Sequence, residues 1–62
     1  MSEVFISLCY KYGLSVTKSF DKHFLIGRGL SYFGSVHEDT LENMDEEEIE
    51  SFILRLVLYN SF

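Results

Sequence analysis

One cysteine is all that this sequence offers to disulfide chemistry. Cys9 has no second cysteine to pair with among the 62 residues, so an internal disulfide is excluded and support must come from packing or from another chain. A lone thiol fits a reducing, intracellular setting. Cations are also scarce: five Lys and Arg stand against ten Asp and Glu, giving a net charge of −5. Long apolar runs are missing as well. The N-terminal MSEVFISLCYKYG has no basic leader, and Arg55 interrupts the later stretch FILRLVLY. Neither a secretory signal nor a membrane span is therefore expected, and the chain reads as cytoplasmic.

What is abundant is apolar and aromatic surface. Hydrophobic residues make up 47% and aromatics 16% of the chain, too much for a disordered tail. The length suits one small domain spanning 1–62. Such a chain buries only about 60% of the surface exposed by its unfolded form, so its core is small and its stability marginal.

Glu3 to Tyr12 alternates, with Val4, Ile6, Leu8, Tyr10 and Tyr12 on one side, which predicts a half-buried strand. Gly13 then supplies a turn. Leu14 to Phe20 alternates again, Asp21-Lys22 reads as a tight turn, and HFLIG as a third strand. The competing reading of 14–27 is one long bent strand. The glycines at 27, 29 and 34 predict a loop over 27–37. The expected α+β fold is therefore a β-meander over 3–27, a Gly-rich loop over 27–37, and an acidic segment with a C-terminal helix over 38–62, packed on a small antiparallel two- or three-stranded β-sheet. Val4, Ile6, Leu8, Leu14, Val16, Phe20, Phe52, Ile53 and Leu56 are the expected core.

Within 38–62, HEDTLENM predicts a short helical turn capped by Asp39 or Thr40. A continuous acidic helix would place Ile49 among the acids, so a break is expected near 43–45. Asp45 followed by Glu48 is a capping signature, with Asn43 as an alternative cap, and Ile49, Phe52, Ile53, Leu56 and Val57 recur at helical spacing. The alternative for 52–59 is a strand, because β-branched and aromatic residues are frequent there. If the segment is helical, Leu54, Leu58 and Phe62 form a second apolar stripe, which points to a homodimer or another partner.

Candidates for chemistry are weak. His23, His37, Glu38, Asp39 and Cys9 lack metal-ligand spacing. Cys9 with His23 or His37 would be a nucleophile and base only if a pocket held them together, and a chain this short has little room for one. Gly27-Arg28-Gly29 matches no phosphate-binding pattern. No catalytic residue, cofactor or metal is expected, and the chain reads as a non-enzyme.

Charge is the stronger signal. Residues 1–37 sum to +2 and residues 38–62 to −7. Glu38, Asp39, Glu42, Asp45, Glu46, Glu47 and Glu48 form the candidate acidic partner-binding segment. An acid start to a helix is ordinary, because it opposes the helix dipole. Carboxylates also have the sign and acceptor geometry to engage Arg and Lys donors, in imitation of nucleic-acid phosphates. The leading expectation is thus a small acidic inhibitor, of the phage or mobile-element type, of a larger host protein or nucleic-acid-handling complex, acting as a homodimer. One alternative is a nucleic-acid-binding module using Lys11, Lys18, Lys22 and Arg28 with Tyr10, Tyr12, Phe20 and Phe24. Another is a structural subunit of a larger assembly.

Overall fold

The computed structural model describes residues 2–60. The order of elements is α1 (Ser2–Lys11), β1 (Ser15–Lys18), β2 (His23–Arg28), β3 (Ser31–His37), α2 (Glu38–Glu42) and α3 (Glu46–Tyr59). The strands form one antiparallel sheet in the order β1-β2-β3, so the fold is α+β with a C-terminal helix.

The first element departs from the expected strand: Ser2–Lys11 is an α-helix. Its period is set by Phe5 and Cys9, both fully buried, with Ile6, Leu8 and Tyr12 packed at the margin. Glu3 in the first turn and Lys11 in the last complement the helix dipole. Gly13 ends the helix rather than linking two strands. Its φ of +74° lets Leu14 N–H reach the Cys9 carbonyl at 2.8 Å and Gly13 N–H the Tyr10 carbonyl at 3.0 Å. This is a Schellman cap, and Leu14 and Cys9 both enter the core beneath it.

The meander therefore runs over 15–37 instead of 3–27. Its third strand, β3, occupies what the glycines suggested was a loop. Each glycine has a local reason to be there. Gly29, at φ +59°, makes the tight β2–β3 turn. Gly27 lies beside a register shift, where a Cβ would sit 2.3 Å from the Ser31 carbonyl oxygen. Gly34 lies beneath Leu56 of α3, where a Cβ would be 3.1 Å from that side chain. The expected turn at Asp21-Lys22 is present, with Lys22 at φ 65°.

The core comprises Phe5, Cys9, Leu14, Phe24, Ile26, Val36, Leu41, Ile49 and Ile53. Strand alternation puts Phe24, Ile26 and Val36 on the face that meets the helices, and the Phe5 and Phe24 rings are 5.6 Å apart. Of the expected core, Leu14 and Ile53 are buried, while Ile6, Leu8, Val16, Phe52 and Leu56 are partly buried and packed against it. Val4 is half-buried. Phe20 is fully exposed in the β1–β2 turn, because β1 ends at Lys18 and no sheet face continues beneath it.

α2 begins at His37, whose Nδ1 accepts the Asp39 N–H at 3.1 Å; neither Asp39 nor Thr40 is its cap. The chain breaks at 43–45 and restarts at Asp45, the cap of α3. Asp45 Oδ1 accepts from Glu48 N–H at 2.8 Å, and Glu48 Oε1 accepts from Asp45 N–H at 3.2 Å. This reciprocal box fixes the start of α3. Residues 52–59 are helical, not a strand.

Candidate interaction surface

The acidic segment is divided between two helices, the second of which starts at the Asp45 box. Several of its carboxylates have internal duties. Glu38 lies 3.4 Å from Lys18 Nζ, while Asp45 and Glu48 are engaged in capping. Asp39 is exposed, its carboxylate 3.8 Å from His37 Nδ1. Glu42, Glu46 and Glu47 are also exposed. The acids at the start of α3 turn to different sides: Glu46 lines a groove with Ser7 and Lys11 of α1, whereas Glu47 and Glu48 line one with Ser51 and Arg55.

Leu54 and Leu58 project from the outer face of α3, with 40% and 61% of their surface exposed. The core stripe Ile49–Ile53 lies on the opposite side of that helix. Phe62, the third residue expected in this stripe, lies outside the described residues. Arg55 and Ser51, the polar residues that dilute this face in the sequence, are exposed on it as well. Met44 joins them at the base: Met44, Asp45, Glu47, Glu48, Ser51 and Arg55 line a shallow groove of about 330 Å³.

The basic and aromatic residues considered for nucleic-acid binding are not gathered on a sheet. Tyr10 and Lys11 belong to α1, and Phe24 is core. Lys11 lies 3.6 Å from Glu50, Lys18 beside Glu38, and Arg28 donates to the Tyr12 carbonyl at 2.8 Å.

Cys9 is fully buried, and burial pushes its thiol up to about 11. A thiol so protonated is a poor nucleophile at neutral pH. His23 and His37 face each other across β2 and β3, ring centroids 4.8 Å apart and nearly perpendicular. By strand alternation they point away from the face that holds Cys9. His23 Nδ1 is 3.1 Å from Asp21 Oδ2, without the alignment of a good hydrogen bond. The Ser19 hydroxyl, followed by His23, holds the Asp21 carboxyl below its usual value. Among the described residues, no group of three or more His, Cys, Asp or Glu is placed to hold a metal ion. No described helix is long and apolar enough to cross a membrane.

No protein family matches the chain, and comparison with curated proteins and with solved structures finds no match.

Proposed function

We propose that this chain is a non-enzymatic, acidic protein-binding modulator that acts as a dimer. It fits a small inhibitor that occupies a cation-lined groove of a larger protein or a nucleic-acid-handling complex. The observation that carries this reading is the exposure of Asp39, Glu42, Glu46 and Glu47 on α2 and at the start of α3. The His37 cap of α2 and the Asp45 box of α3 hold the backbones that carry these acids, so engagement of Arg or Lys donors has to order side chains rather than backbone. Their long-range field speeds encounter with a cationic partner, an effect that salt weakens.

The test is affinity capture from cell lysate at low and high salt, using the wild-type chain beside a D39N/E42Q/E46Q variant. The reading expects one dominant basic partner, released by salt and lost with the amide variant. An unchanged set of captured proteins would sink the electrostatic reading. The exposed Leu54 and Leu58 give some support to a second reading, a structural subunit whose acids serve only solubility. In that case capture would depend on the two leucines and not on the acids.

A further inference from the structure

The outer face of α3 carries acids, a cation and apolar side chains arranged about a single centre, Ser51. Four residues before it stands Glu47 and four after it Arg55. Three before and after stand Glu48 and Leu54; seven before and after stand Met44 and Leu58. All but the half-buried Met44 are exposed. The acidic side of this centre and the side bearing Arg55 and the leucines are therefore complementary to each other, provided that one is reversed.

We infer that α3 pairs with α3 of a second copy of this chain, antiparallel, about a two-fold axis through Ser51. The inference deepens the dimer element of the proposed function and rests on it. At about 1.5 Å rise per residue, Glu47 and Arg55 each lie about 6 Å along the axis from Ser51. Reversal brings each Arg55 level with Glu47 and Glu48 of the other copy. Leu58, about 10 Å from the centre, comes level with Met44 at the foot of the groove. A parallel pair would instead set acids against acids, which is repulsive. The small side chain of Ser51 at the crossing allows close approach of the two helices. Burial of Leu54 and Leu58 supplies affinity, and the two symmetric charge pairs select orientation. α1 does not obstruct this face, because it lies along the flank of α3 marked by Lys11 and Glu50.

The register has a direct test. Helix axes about 8–10 Å apart, less two Cα radii of about 2.3 Å, leave the Ser51 Cα atoms about 3.5–5.5 Å apart. That overlaps the disulfide range of about 4.4–6.8 Å. Mild oxidation of S51C is expected to give a covalent dimer, while S7C, exposed on α1, is expected to give none. Buried Cys9 stays silent in both. In sedimentation, the wild type is expected at twice 7.2 kDa. R55E is expected to weaken association at least about tenfold, a loss of about 1.4 kcal/mol, and adding E47K to R55E is expected to restore it.

A wild type that stays at 7.2 kDa up to millimolar concentration overturns the pairing. A dimer unaffected by R55E, or an S51C that cross-links no better than S7C, overturns the antiparallel register. Capture of a basic partner that persists with R55E, alongside any of these results, shows that the pairing has failed while the acidic-surface reading stands. Loss of capture with the amide variant, while S51C still cross-links, leaves the two claims separately supported.

Discussion

The Tyr12 hydroxyl donates to Glu50 Oε2 at 2.8 Å, joining the end of α1 to the first half of α3 across 38 positions of sequence. Lys11 reaches the same carboxylate oxygen at 3.6 Å. One acid thus ties the Schellman-capped end of α1 to the helix that carries the proposed interaction surface. The contact also leaves a signature in the alkaline pH range. The bond to Glu50, then desolvation, raises the Tyr12 phenol above its ordinary 10.0.

A raised acid favours the folded state while it keeps its proton. The stabilisation from Tyr12 is therefore complete below pH 10.0 and is lost as pH rises through the higher folded value. Cys9, raised from 9.0 to about 11, acts in the same direction. Urea midpoints are expected to fall steadily above pH 9. The fall should become shallower in Y12F and shallower again when C9A is added. A midpoint that rises over this range would contradict both placements.

The interior and the β1–β2 turn should respond in opposite ways to truncation. Ile53 is fully buried between α3 and the core, so I53A is expected to cost about 2–5 kcal/mol, a large share of the stability of so small a domain. Phe20 is fully exposed, and F20S is expected to change stability by no more than about 0.5 kcal/mol. Chemical denaturation of the two variants measures both effects.

The glycines at 27 and 34 differ in what a methyl group would strike. At Gly27 it meets a backbone oxygen at 2.3 Å, and at Gly34 the end of the Leu56 side chain at 3.1 Å. G27A is expected to destabilise by about 1–3 kcal/mol through forced backbone movement. G34A should cost less, because Leu56 can shift. The order of their thermal midpoints is the check.

Asp45 determines where α3 begins. D45A removes the acceptor for Glu48 N–H and is expected to cost about 1 kcal/mol, with loss of helical signal. D45N retains an acceptor and should keep most of it. Equal loss in both variants would mean that charge at the helix start matters more than the bond.

The parts of this fold that could be read from sequence are those in which one physical signal dominates. Asp45 and Glu48 at capping spacing, with the stripe from Ile49 to Val57, gave the start, type and buried face of α3. His23 to Gly27 read correctly as a strand. The N-terminal segment misled because Val4, Ile6, Leu8, Tyr10 and Tyr12 alternate and are rich in strand-favouring types. Its helix is fixed by Phe5 and Cys9 one turn apart and by Gly13 as a C-terminal cap, so tertiary packing overrides local preference. The loop expected at 27–37 rested on treating glycines as breakers. Gly27 and Gly34 are instead required by close approaches that only the folded sheet and Leu56 create. Among the site residues, the acids and Leu54 with Leu58 were visible as pattern. Ser51 and Arg55 read from the sequence only as polar residues that dilute the outer face of that helix, and the groove they line with Met44 and the acids of the first turn becomes visible only in the folded chain.

The central claim is that exposed acids of α2 and α3 engage a cationic partner. Capture by the wild-type chain and by D39N/E42Q/E46Q, compared quantitatively at low salt, tests it most directly. The account predicts a dominant basic protein held by the wild type, released on raising salt and reduced at least about tenfold with the variant. Equal capture by a variant that remains folded would contradict the account and leave the acids as helix starts and solvated surface.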